Sequence, residues 1–173
     1  ADAPLAIQSL LFVPQTNFEK MGMGRLEPGV NLYCKKVLIE DNAPKLFPEW
    51  LRFLKGVVDS EDLPLSVSRE SMQDSALMAK LNKTLTGRFL KFLDEQSKKD
   101  PEAYLGFFQE FGRFLREGIA TDFNHRDALA KLLRYETSGL DAETYTALSE
   151  YVERMKSDQE EIYFLVGPDR ETI

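Results

Sequence analysis

The sequence is poor in residues on which much catalytic and covalent chemistry depends: it has one cysteine, one histidine and one tryptophan in 173 residues. With Cys34 alone, no intramolecular disulfide can form, and a reducing compartment is the simpler expectation. Apolar runs last only a few residues, far short of the roughly 20 that span a bilayer, so no membrane partner is expected. A surplus of Lys and Arg is also missing. The formal charge of −7 excludes broad, salt-sensitive adhesion to nucleic acid or anionic lipid. No cationic, apolar leader opens the chain. Ala1-Asp2-Ala3-Pro4 runs straight into apolar residues, which reads as a piece of a longer polypeptide.

Familiar reaction motifs are missing too. There is no Gly-rich phosphate loop with its Lys, no His-Glu-x-x-His, no Cys pair at metal spacing and no Gly-x-Ser-x-Gly. His125, between Asn124 and Arg126 at a helix start, reads as a surface residue rather than a general base. Cys34, followed by Lys35 and Lys36 in a strand and without a nearby histidine, reads as a small packing residue rather than a nucleophile. Asp59, Glu61 and Asp62 lack the spacing that wraps calcium, so they read as a solvated turn and no metal site is expected.

What remains is an ordinary globular composition, 43% hydrophobic and 29% charged, long enough to bury a core unaided. Leu5 to Val13 and Leu32 to Glu40 read as strands. Thr16 to Val30, with three glycines, Pro28, Phe18, Met21 and Met23, reads as a loop whose apolar side chains are either exposed for promiscuous contacts or folded back onto the sheet. The spacing of Leu46, Trp50, Phe53 and Leu54 predicts a helix over 44–55 stopped by Gly56, then an extended stretch over 57–67.

Leu77, Leu81, Leu85, Phe89 and Leu93 recur every four residues and predict a helix over about 74–96. Tyr104, Phe107, Phe108, Phe111, Phe114 and Leu115 predict a second helix, ending near Gly118, whose stripe is core. Leu129, Leu132 and Leu133 mark a third helix, and Tyr145, Leu148, Tyr151, Val152 and Met155 a fourth, with a turn over 138–141. Ile162 to Val166 returns to strand character, and because a lone strand is unstable it reads as the start of a further α/β unit.

The segment Ser66-Val67-Ser68-Arg69-Glu70-Ser71-Met72-Gln73 lies where extended chain gives way to helix. Ser66 and Ser68 are N-cap candidates and Glu70 suits the positive end of the dipole. Arg69 does not, at a cost of about 0.3–1 kcal/mol. From the residues alone it is either a solvated Arg beside Glu70 or a cation directed at an anion.

Gly56-Val57-Val58-Asp59-Ser60-Glu61-Asp62-Leu63-Pro64-Leu65, followed by Ser68-Arg69-Glu70 and Gln73, closely resembles the middle segment of the ninety-kilodalton heat-shock chaperones. Leu11-Phe12-Val13-Pro14, Asn31-Leu32-Tyr33 with Lys36-Val37, Pro48-Glu49-Trp50-Leu51, Ala130-Lys131-Leu132-Leu133-Arg134-Tyr135, Tyr151, Arg154-Met155 and Ile162-Tyr163 resemble it in the same order. Asp74-Ser75-Ala76-Leu77, Gln96-Ser97-Lys98-Lys99-Asp100, Arg116-Glu117-Gly118-Ile119 and Leu148-Ser149-Glu150-Tyr151 are most similar to the mitochondrial branch.

The resemblance implies an α+β fold: an α-β-α sandwich like the second domain of ribosomal protein S5 over 1–100, a helical coil over 101–156, and over 157–173 the first strand of a truncated small α/β unit. It implies that Arg69 reaches the γ-phosphate of ATP with Mg held mainly by a separate N-terminal ATPase domain. Gln73 is implied as its helper, with Ser66, Ser68 and Glu70 supporting the loop. Ser66 stands where the family usually has Asn, and Ser71-Met72 replaces a more apolar pair. The isolated chain is then expected to hydrolyse no ATP while contributing to the ATPase of the full-length, dimeric chaperone. Expected partners are unfolded clients at Phe18, Met21 and Met23, co-chaperones, and the N-terminal and C-terminal dimerisation domains of the same chain. The expected location is the mitochondrial matrix, or alternatively the cytoplasm. Two other readings are a helical adaptor acting through 101–155 with no nucleotide role, and a metal-dependent hydrolase built on Asp59, Glu61 and Asp62.

Overall fold

A computed structural model describes residues 6–63, 76–167 and 170–172. Four strands, β1 (Ile7–Phe12), β2 (Gly29–Cys34), β3 (Val37–Glu40) and β4 (Lys55–Ser60), form a mixed sheet in the order β1-β4-β2-β3. β4 runs antiparallel to β1 and parallel to β2, while β2 and β3 form an antiparallel hairpin. Three helices follow: α1 (Ala76–Lys99), α2 (Pro101–Thr121) and α3 (Arg126–Leu132). Beyond them lie a two-stranded ribbon of β5 (Tyr135–Glu136) and β6 (Tyr145–Thr146), the short helix α4 (Leu148–Glu153), and a 3-10 turn at Arg170–Thr172. This is the mixed α and β content expected. No helix among the described residues is long and apolar enough to cross a membrane.

Alternation along the strands separates two faces. Val30, Leu32, Cys34 and Val58 point inward and are buried, joining Leu81, Leu85, Phe111, Phe114 and Leu129 from the helices in one core. The opposite face pairs Leu10 with Val57 and Tyr33 with Leu38. Leu10, Phe12, Val57 and Leu38 on that face are exposed.

The four-residue leucine spacing of α1 is what its buried positions show. In α2, Asp100 accepts from the Ala103 backbone N–H at 3.0 Å and Pro101 occupies the first turn, where its missing N–H costs nothing. The aromatic stripe of α2 is core, as its periodicity says: Phe53 has ring centroids of Phe111 at 4.9 Å, Phe114 at 5.1 Å, Phe107 at 6.0 Å and Phe89 at 6.3 Å.

Five expectations need correction. The strand over 32–40 is the hairpin β2–β3, because Lys35 (φ 49°) and Lys36 (φ 67°) turn the chain in the left-handed region. The Lys36 backbone N–H donates to Asp59 Oδ2 at 2.8 Å, which gives this unusual turn an anchor. The helix over 44–55 is only a 3-10 turn, Glu49–Leu51, since Pro48 is extended (ψ 152°) and cannot carry a helix through. Gly56, expected to stop that helix, lies inside β4. Lastly, 162–167 forms no regular element and Tyr163 to Val166 are exposed; a β segment without a hydrogen-bonded neighbour has nothing to hold it. The fourth helix is confined to Leu148–Glu153, Tyr145 having joined β6.

Candidate functional site, an exposed apolar loop on an ion-pair clamp

Residues 17–26 wind into consecutive turns. Phe18 O accepts from both Met21 N (3.2 Å) and Met23 N (3.2 Å), and Asn17 O accepts from Lys20 N (3.1 Å). Gly22 (φ 75°) and Gly24 (φ 87°) provide left-handed backbone that other residues enter at a cost. The result presents Phe18, Met21 and Met23 to solvent, 45%, 64% and 69% exposed. Of the two arrangements the sequence leaves open, these three residues take the outward one.

The loop base is tied down at two places. Asn17 Nδ2 donates to Glu110 O at 2.9 Å, and Lys20 Nζ lies 2.7 Å from Glu110 Oε1 on α2. Glu19 turns inward to the buried Arg52. The Arg52 guanidinium donates through Nε and Nη2 to Glu19 (2.8 and 3.2 Å), through Nη1 and Nη2 to Glu117 (2.8 and 2.9 Å), and through Nη1 to Glu49 O (3.1 Å). These five contacts use all five of its N–H donors. Its plane lies over Phe114, 4.6 Å from the ring centroid.

Burial opposes the Arg52 charge, yet the bonds to Glu19 and Glu117 raise its pKa above the ordinary arginine value. The same bond from Arg52 is the main reason the Glu19 carboxyl is held below its usual range. Glu19 Oε1 also accepts from the Leu26 N–H at 2.8 Å, closing the loop on itself. Sequence reasoning missed this clamp; the available signal was an arginine inside the otherwise buried run Leu51-Arg52-Phe53-Leu54, which needs acidic partners.

Other singled-out residues fall as follows. Arg69, Gln73, Ser66, Ser68 and Glu70, with Ser71 and Met72, lie outside the described residues. β4 leads toward them, and the last described residue on that path, Leu63, is buried, its carbonyl accepting from Cys34 Sγ at 2.9 Å. Cys34 is therefore a buried packing residue. Asp62 Oδ2 accepts from the Ala6 N–H at 2.8 Å, which together with the Asp59–Lys36 bond gives these acids backbone partners within the sheet. Among the described residues, no group of three or more His, Cys, Asp and Glu side chains converges as a metal would require.

His125 is the N-cap residue of α3, and its Nδ1 lies 2.8 Å from Asp122 Oδ2. The same carboxylate accepts from Trp50 Nε1 at 3.1 Å, and its Oδ1 from the His125 backbone N–H at 3.2 Å. Burial pushes the Asp122 pKa up, but the bonds from His125 and Trp50 outweigh it and leave the carboxyl below its ordinary value. Asp122 lines two adjoining clefts of about 480 and 830 Å³.

The family model described as Hsp90 protein matches residues 1–173. This chain belongs to the Hsp90 family. Among curated Hsp90 relatives, the chaperone protein HtpG of Desulfitobacterium hafniense is 58% identical over 173 residues, covering 100% of this chain and 28% of the relative. HtpG of Desulfotalea psychrophila is 53% identical with the same coverage. The mitochondrial heat shock protein 75 kDa of Bos taurus is 48% identical over 172 residues, 98% of this chain and 24% of the relative. The chain thus spans about a quarter of the length of these Hsp90 relatives. The resemblance to mitochondrial forms holds at 48% identity, but the expectation that the chain is most similar to that branch is corrected, since two bacterial HtpG proteins match at 58% and 53%.

Proposed function

We propose that this chain is the middle segment of an ATP-dependent Hsp90 chaperone. In this role it supplies Arg69 to the γ-phosphate of ATP bound with Mg by a separate N-terminal domain, and it offers a client surface at Phe18, Met21 and Met23. The observation that carries the reading is family membership along the whole chain together with the run Gly56–Leu65 and its Ser68-Arg69-Glu70 and Gln73. A guanidinium is permanently charged and forked, which suits a phosphoryl oxygen. Charge stabilised there as the phosphoryl group transfers lowers the barrier. Gln73, four residues beyond Arg69 in the sequence, is its helper on this reading, with Ser66, Ser68 and Glu70 in support. On this reading the sheet belongs to an α-β-α sandwich, whose second helical layer covers Leu10, Phe12 and Val57. The chain alone then hydrolyses no ATP, and the dimerising domain lies elsewhere in the full-length protein. Its compartment is bacterial cytoplasm or mitochondrial matrix.

In the full-length protein, Arg69→Ala is expected to lower the ATPase rate at least about tenfold, with the melting temperature unchanged. An unchanged rate, or a variant that fails to fold, overturns the assignment. That first outcome would leave the helical adaptor as the better reading.

For the client surface, the supporting feature is that flexible thioethers and an aromatic ring are displayed on a base held by ion pairs. Polarisable Met side chains suit promiscuous apolar contacts. Met21→Ser with Met23→Ser should leave stability within about 0.5 kcal/mol and weaken capture of a reduced, unfolded model client severalfold, read as suppression of its aggregation by the full-length protein. Equal suppression by the variant would remove the loop from the binding surface.

A further inference from the structure

The sequence contains one cysteine and five methionines, and the fold exposes them unequally. Cys34 is fully buried, with its Sγ donating to Leu63 O. Met78 of α1 lies in the core at 4% exposure, and Met155 is half-buried. Among the described residues, Met21 and Met23 are the two sulfur-bearing side chains that stand in solvent.

Both belong to one system of turns, because their backbone N–H groups share Phe18 O as acceptor. Gly22 separates them and Gly24 follows, so these neighbours have no side chain to shield the thioethers. A Cβ built at either glycine would meet nothing within 4 Å. That open space admits a small oxidant to both methionines. The loop base is held by Lys20–Glu110 and by Arg52 between Glu19 and Glu117, and none of these contacts passes through a methionine side chain. A change of polarity at sulfur therefore alters the displayed surface and leaves the anchorage of the loop intact.

We propose that Met21 and Met23 form a reversible oxidation site at which hydrogen peroxide switches off the capture of apolar segments, an inference that rests on the client-surface reading. A thioether lone pair attacks one oxygen of the peroxide, so that the S–O bond forms as the O–O bond breaks. Sulfur loses two electrons, and the departing hydroxide takes the proton left on the new oxygen to give water. The sulfoxide is polar where a polarisable, apolar group stood. Water is then held at the positions from which a client side chain would have to displace it. A dithiol reductase reverses the step, returning the thioether and releasing water as its own thiols become a disulfide.

The test begins with timed exposure of the folded 173-residue chain to hydrogen peroxide, followed by proteolysis and tandem mass spectrometry, which places each added oxygen on its residue. Met21 and Met23 should be oxidised at least about fivefold faster than Met78, with the melting temperature unchanged. In the full-length protein, the same treatment should weaken suppression of client aggregation severalfold. Methionine sulfoxide reductases supplied with dithiothreitol should restore it. Met21→Leu with Met23→Leu, which keeps an apolar surface without sulfur, should be insensitive to peroxide. Oxidation of Met78 as fast as of the loop pair, or an equal loss of capture in the wild type and the Leu variant, would overturn the proposal. So would an oxidised wild type that captures as well as before: if Met21→Ser with Met23→Ser then weakens capture, the switch alone fails, and if it does not, the client surface fails with it.

Discussion

Replacing Arg52 by Met is expected to destabilise the protein by about 3 kcal/mol, because it leaves Glu19 and Glu117 facing each other across a site built for a cation. For a domain of this size that corresponds to a fall in Tm of roughly 6–12 °C, measurable by calorimetry. The loss is one of uncompensated charge rather than of volume, since Met fills much of the same space. Adding Glu19→Gln and Glu117→Gln to Arg52→Met should therefore recover a substantial part of it; a triple variant no more stable than the single one would contradict this account.

The pH dependence has a definite sign. Glu19 has a pKa below its ordinary value of 4.5 in the folded protein, chiefly through its bond to Arg52. A carboxylate depressed on folding contributes stability that is complete above the unfolded pKa and lost as pH falls through the folded one. The gap in Tm between the wild type and Arg52→Met should therefore be widest at neutral pH and narrow below about pH 4.5.

Gly56→Ala is the second substitution with a large expected effect. Gly56 sits within β4 at φ 137°, and an added Cβ would lie 2.1 Å from the backbone oxygen of Leu10 in β1. No side-chain rotation relieves a clash with a carbonyl in the neighbouring strand. The backbone strain alone is about 1–3 kcal/mol, and the displaced β1–β4 ladder adds to it, so a loss of at least about 3 kcal/mol is expected by chemical denaturation. Amide protection should fall in β1 while α1 and α2 stay protected. Gly87→Ala is the fitting control: on α1, with nothing within 4 Å of the added methyl, it should stabilise by about 0.5–1 kcal/mol. Equal effects from the two would show that the Leu10 contact is not what matters.

These two positions also mark what could and could not be foreseen from the amino acids. Helices α1 and α2 were legible because their apolar residues repeat at helical spacing, and Asp100-Pro101 announces a start. The 44–55 stretch misled because apolar residues there are buried on all sides: Leu46, Phe47, Trp50, Leu51, Phe53 and Leu54 are all core. Periodicity cannot separate that from a helix face once Pro48 interrupts it. The β2–β3 turn was hidden because lysine carries no turn signal; Lys35 and Lys36 adopt left-handed backbone in a context that includes Asp59, 23 residues away.

The candidate loop was half legible. Methionines between glycines indicated a loop but left exposure open, and Met21 and Met23 are exposed. Its rigid base was not foreseeable, since Glu19, Arg52 and Glu117 are joined only by the tertiary fold, over separations of 33 and 65 residues. Likewise Trp50 and Asp122 stand 72 residues apart, and no local pattern relates them.

The strand order has a consequence for synthesis. β1 leaves the ribosome before the other three strands of its sheet but has no partner until β4 emerges, because Ile7 pairs with Ser60 and β2 is separated from β1 in the sheet. At about 5–20 residues per second, the intervening stretch of roughly fifty residues takes a few seconds to translate. Throughout that interval Leu10, Leu11 and Phe12 form an apolar stretch without the strand they pair with, open to non-native pairing until residue 60 has been made.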